Sequence, residues 1–149
     1  MKITKVEANN RKRLFDVSTR SRRWSFPYLR TSPSPSSADP VVEVFVDPEL
    51  GKEAFTYLLR SGAEGTVHVE SVLEYNREPG HMAELTLYKL TTEARKRFDD
   101  SPLSAREVAR LLDTSPAQLY RLLDPTNYNK SARQLLTLLN VLGVELKVS

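Results

Sequence analysis

Gln118 and Arg121 stand three residues apart in the segment SPAQLYRLL (115–123), and each carries a side chain able to make two parallel hydrogen bonds. The Gln118 amide matches the N6/N7 edge of adenine, the Arg121 guanidinium matches the O6/N7 edge of guanine or a phosphate, and Ala117 is small enough to meet a thymine methyl. Pro116 and Tyr120 share the segment. Around it, Arg106, Ser115, Asn127, Asn129 and Lys130 suit phosphate oxygens, contacts that orient a protein on a duplex without reading its sequence. Simpler readings stand beside these. Ser115 and Gln118 have the spacing of a helix cap and its partner, Tyr120 can pack on a neighbouring helix, and Arg121 can be solvated.

The residue types needed for catalysis are not grouped. His68 and His81 are separated by a loop-forming stretch and lack ligand spacing. Asp99-Asp100 reads as a solvated helix end, and Ser104, Ser115 and Ser131 have no base beside them to activate a hydroxyl. There is no glycine-rich phosphate loop, and without cysteine the chain has neither disulfides nor thiolate zinc sites. The expectation is a non-enzyme that needs no cofactor and no metal.

A hydrophobic fraction of 40% with 28% charged residues is that of a globular protein, and 149 residues allow one ordinary domain or two small ones. The start, Met1-Lys2-Ile3-Thr4, lacks the apolar run of a signal peptide, and no stretch approaches the roughly 18 apolar residues that cross a bilayer. A cytoplasmic protein without a membrane partner is expected. The net charge of +3 hides an asymmetry: residues 1–30 carry nine Lys/Arg against two Asp/Glu, residues 31–100 seven against thirteen, and residues 101–149 six against four. The strongest positive field therefore belongs to Arg11, Lys12, Arg13, Arg20, Arg22, Arg23 and Arg30. They are candidates for nonspecific attraction to a phosphate backbone, with solvated hairpin turns as the alternative.

The elements that must position these groups follow from periodicity. Short antiparallel strands are expected around Ile3 and Val6, around Leu14, Phe15 and Val17 after a turn at Asn9-Asn10-Arg11, and around Trp24, Phe26 and Tyr28. Thr31–Ser37, rich in serine and proline, reads as a mobile loop. Val41–Val46 reads as a strand ending at Asp47-Pro48. Residues 53–60 satisfy both strand and helix spacing; the strand is favoured because Ser61–Gly65 makes a hairpin loop into a strand over Thr66–Glu70. Glu78-Pro79-Gly80 separates this β-rich region from a helical remainder beginning around His81 with Leu87, Leu90, Ala94 and Phe98 in phase, either as one bent helix or as two with a fresh cap at Thr91 or Thr92.

Three helix starts follow. Ser104 with Glu107, Ser115 with Gln118 and Ser131 with Gln134 each pair a capping hydroxyl with a residue three positions on, and Pro116 sits where a missing N–H is harmless. Val108, Ala109, Leu111 and Leu112, then Leu119, Leu122 and Leu123, then Leu135, Leu136, Leu138, Leu139, Val141 and Leu142 supply the apolar faces, and Gly143 can stop the last helix. Two short helices joined by so tight a turn have helix-turn-helix spacing. Val144, Leu146 and Val148 alternate with Glu145 and Lys147 as in a short C-terminal strand.

Residues 90–149 resemble the phage-repressor (XRE-like) helix-turn-helix family, especially its antitoxin-like members. Ala109 in REVARLL matches the small residue facing the partner helix, Leu119 and Leu122 match apolar positions of the recognition helix, and DPTNYNKSARQLLTLLNVLG resembles the following loop and packing helix. Asp113 departs from the glycine common in the turn, although aspartate tolerates left-handed angles. The β-rich front half is similar only to small bacterial domains without an assigned role.

The fold expected is thus α+β: an N-terminal antiparallel β-rich domain (1–79), then a helix-turn-helix domain (80–149) with a short C-terminal strand. Its expected function is sequence-specific binding of double-stranded DNA in transcriptional regulation, as a repressor and, in one form, as the antitoxin of a toxin partner. The alternative is a protein-interaction module in which the β-rich half binds a partner and the helix-turn-helix only packs. A homodimer is expected, through the alternating tail or through the aromatic segment around Trp24, Phe26 and Tyr28.

Overall fold

Alternation of apolar and polar side chains builds the first sheet. In the computed structural model, which describes residues 1–149, β1 (Ile3–Asn9), β2 (Leu14–Thr19) and β3 (Arg23–Pro27) form an antiparallel meander in the order β1-β2-β3. Phe15 and Val17 of β2 are fully buried, and they pair in register with Ala8 and Val6 on one side and with Phe26 and Trp24 on the other. One inward face is therefore continuous across three strands. Trp24, Phe26 and Tyr28 are all inside this core, so the aromatic segment expected as a self-association surface is consumed by the chain's own packing.

A second sheet has the order β4-β5-β6, from β4 (Val41–Val46), β5 (Ala54–Leu59) and β6 (Glu64–His68). The segment 53–60 is a strand because it lies in the middle, with ladders on both edges and Ala54 through Tyr57 buried on both faces. Phe15 meets Phe55 and Tyr57 at ring separations of 4.9 and 5.1 Å, so the two sheets share one core. Their facing ends are tied by Ile3 N–H to Lys52 O (2.8 Å) and by Asn10, whose side chain donates to Val41 O and accepts from Val41 N–H.

Gly65 on β6 has no Cβ because the Tyr57 ring and hydroxyl occupy that space. Gly65→Ala should therefore destabilise by about 1–3 kcal/mol, read from urea denaturation, as Tyr57 is forced from its pocket. A substitution without effect would mean that the ring moves freely.

Two local expectations are corrected here. Thr31–Ser37 is not a free loop: the Thr31 and Ser34 hydroxyls both donate to Tyr28 O, the Tyr57 hydroxyl donates to Pro33 O (2.6 Å), and Thr31 and Pro35 are buried. Its Ser32–Pro33 bond is cis. Nor does a strand run through Glu70. It stops at His68, and α1 (Val69–Tyr75) follows, burying Val69, Val72 and Leu73 at helical spacing.

The chain divides into two compact units, Met1–His81 and Met82–Ser149. α2 (Pro79–Asp100) is a single helix of 22 residues, opened by the Glu78 carboxylate, which accepts from the N–H groups of Gly80 and His81. Those bonds hold the Glu78 carboxyl below the usual carboxylate range. Thr91 and Thr92 do not cap a new helix; their hydroxyls donate back to Leu87 O and Lys89 O.

The second unit continues with α3 (Ala105–Leu111), α4 (Pro116–Leu122) and α5 (Ala132–Val141). Ser104, Ser115 and Ser131 each accept from the N–H three residues on, so all three caps form as the spacing requires. α5 ends with Gly143 at φ 81°, which returns its own N–H to Asn140 O and that of Val144 to Leu139 O. Beyond it, residues 144–149 are not a strand, correcting the expected C-terminal element. A strand exists only in a ladder, and this tail has no neighbour to pair with, leaving Val148 98% exposed. The architecture is α+β, and no helix is long and apolar enough to cross a membrane.

Candidate nucleic-acid interface

α3 and α4 are seven residues each, and the turn between them depends on Asp113, which holds φ 55° where glycine is the easier choice. Asp113 N–H donates to Arg110 O and Thr114 N–H to Ala109 O, so the α3 carbonyls are satisfied as the chain reverses. Ala109 and Val108 are buried on α3, and Leu119 and Leu122 on α4. Once those apolar positions face inward, helical geometry sends Pro116, Ala117, Gln118 and Arg121 outward, and all four are exposed. Arg121 has no carboxylate partner among the chain's ion pairs, nor does Arg106, exposed on α3.

Tyr120 is half-exposed, but its ring meets Phe98 of α2 edge-on at 6.4 Å, which directs it toward packing. Ser115 is occupied as the α4 cap, and Gln118 supplies the capped N–H while its amide stays free of intramolecular bonds.

A cleft of about 520 Å3 runs beside α4 and brings together Gln118, Arg121, Asn127, Asn129 and Lys130. Asn127 donates to Arg121 O at the end of α4 and accepts from Asn129 N–H, so this loop is shaped by its own amides. Lys130 differs from expectation. Its ammonium donates to Leu122 O (2.8 Å), Asp124 O (2.7 Å) and the Thr91 hydroxyl (2.9 Å), leaving no donor aimed at a phosphate. Burial lowers its pKa from the ordinary lysine value, opposed by the Asp124 carboxylate. The reason is electrostatic: exposed carbonyls at a helix C-terminus attract a cation.

Asp124, also in the cleft, had no part in the sequence reading. Bonds from the Thr126 hydroxyl and N–H hold its carboxyl below the usual range, so it stays charged and repels anions from that end. The Asp-Pro-Thr order of 124–126 is the local signal that could have revealed it.

The N-terminal cations do not form one patch. Arg11, Lys12 and Arg13 sit on the β1–β2 turn, whereas Arg20, Arg22 and Arg23 sit at the β2–β3 turn. These turns lie at opposite ends of β2, whose six residues span roughly 20 Å. Arg22 stacks over the Trp24 ring at 5.5 Å and Arg23 approaches Asp16 at 3.9 Å, so the second group is partly engaged. His68, exposed at the end of β6, and His81, on the first turn of α2, belong to no group that could hold a metal ion.

No protein-family model, curated protein or solved structure matches this chain.

Proposed function

We propose that α3 and α4 act as a helix-turn-helix of the phage-repressor type, binding double-stranded DNA with α4 in the major groove. The observation that carries this reading is the division of α4: Leu119 and Leu122 are buried, while Pro116, Ala117, Gln118 and an ion-pair-free Arg121 are exposed together. Gln118 and Arg121 read base edges, Ala117 meets a thymine methyl, and Arg106, Asn127 and Asn129 hold the backbone. The role is a binding one in cytoplasmic transcriptional regulation, repressor-like, with the antitoxin role as its narrower form. The protein acts as a homodimer, because one such helix contacts too few base pairs to find a site in a genome, and two-fold symmetry sets two helices about 34 Å apart.

The test is selection of bound duplexes from a random-sequence library, followed by anisotropy titration of the enriched site. Enrichment of a two-fold symmetric site binding two chains is expected. Arg121→Ala should then relax discrimination at one base pair by roughly 1–3 kcal/mol. Failure to enrich any sequence, or unchanged discrimination in the variant, would move the function to a protein-interaction role.

A further inference from the structure

The first unit carries a second cleft, of about 540 Å3, lined by Phe26 of β3, Arg30 of the 3-10 turn Tyr28–Arg30, and Ser71, Glu74, Tyr75 and Arg77 on and just after α1. Nothing in the proposed DNA reading uses it. Its chemistry is mixed in a particular way. The Arg30 guanidinium lies over the Tyr75 ring, 5.4 Å from its centroid, and Tyr75 meets Phe26 edge-on at 5.8 Å while remaining 44% exposed. The five ion pairs of the chain all lie elsewhere, so both arginines are without a carboxylate partner.

The turn that presents Arg30 is rigid. Tyr28 donates its N–H to Arg13 O and its hydroxyl to Asn10, while its carbonyl accepts from Thr31 and Ser34. The same turn holds Leu29 at 91% exposure. Arg77 is likewise fixed by its backbone. It occupies the left-handed position that closes α1, at φ 52°, with Glu78 N–H returning to Leu73 O. This is a common way for a helix to end, and glycine takes the conformation more easily than arginine does.

We propose that this cleft binds a short acidic peptide segment of a partner protein, with Arg30 and Arg77 taking its carboxylates and the exposed part of the Tyr75 ring, backed by the buried Phe26, taking an adjacent apolar side chain. Rigid tyrosine and arginine anchors are the residues that dominate protein interfaces, and presenting them on locked backbone lowers the entropy lost on binding. A nucleic acid fits less well. The face of Tyr75 on which a base would stack already carries Arg30. This proposal does not rest on the DNA reading.

The experiment is panning of a phage-displayed library of random twelve-residue peptides on the full chain, then fluorescence titration of the enriched peptides. Enriched sequences are expected to carry at least two Asp or Glu beside a large apolar residue and to bind more weakly as salt is raised. Arg30→Gln should weaken them at least tenfold. Arg77→Gly is the sharper variant: it relieves the left-handed strain, so the melting temperature should hold or rise while peptide affinity falls at least tenfold. The proposal is overturned if no acidic sequence is enriched, or if enriched peptides bind both variants as well as the parent. It is equally overturned if a single-stranded 20-nucleotide DNA occupies the cleft more tightly with the same arginine dependence, or if sedimentation shows self-association that both variants abolish, which would assign the cleft to a second copy.

Discussion

Replacing Phe15 with alanine is expected to remove about 3–5 kcal/mol from the stability of the first unit, the largest effect of any single truncation proposed for this chain. Phe15 is wholly buried, and its ring lies 4.8 Å from Tyr28, 4.9 Å from Phe55 and 5.1 Å from Tyr57. These neighbours come from β5 of the second sheet and from the turn after β3, so no one element can move to fill the void. Part of the loss is the transfer free energy of the ring and part is the cavity left by neighbours that are themselves hydrogen-bonded in place, as Tyr57 is to Pro33 and Tyr28 to Asn10. The chain's single tryptophan, Trp24, lies in this unit on β3 beside Val17, so its emission during urea unfolding reports the transition directly. A loss under about 1 kcal/mol would mean that the two sheets close over the gap and that the core is not rigid.

Lys130→Met should cost the second unit about 2–4 kcal/mol, although the methionine keeps most of the side chain's length. Hydrogen bonds from a charged donor contribute more than neutral ones, and the substitution leaves Leu122 O, Asp124 O and the buried Thr91 hydroxyl oxygen short of their donor. Unfolding followed by circular dichroism at a helix wavelength, with the exposed Lys147→Met as a control near zero, checks it. An effect no larger than the control would show that water replaces the ammonium. If the proposed DNA binding is found, the same variant separates two roles for Lys130 in it. As a clamp on the end of α4 it should lower affinity with no change in the salt dependence of log K. A lysine touching phosphate would flatten that slope by about 0.9 per contact.

Where a structural signal is local, it was readable in the residues. The three serine caps act over three positions, Pro116 acts on its own N–H, and Gly143 acts on the carbonyls of the turn before it, so each could be placed from sequence and each is present. The apolar faces of α3, α4 and α5 follow from helical period, except that Leu111 and Leu136 are exposed, and the strands β1, β2 and β4 follow from β-branched and aromatic runs bounded by turn residues. β5 was legible only with its hairpin, because a short apolar run has no unique period.

What the tertiary structure decided is everything that depends on a partner far along the chain. Thr31–Ser37 has the composition of a free linker, yet the Tyr57 hydroxyl, 24 residues beyond Pro33, pins it. Val144–Val148 has the alternation of a strand, yet a strand requires a neighbour and none is there. The switch from β6 to α1 at Val69 was hidden because β-branched valines suit either state until Val72 and Leu73 bury on one helical face. Lys130 reads as a surface cation and is turned inward by Thr91, 39 positions earlier. The arginines crowded into the first thirty residues are parted by the antiparallel meander, since consecutive turns of such a sheet lie at opposite ends of the strand between them. Charge, capping and period belong to neighbours in sequence and can be read there. Pairing, burial and the direction of a long side chain belong to neighbours in space, which only the folded chain supplies.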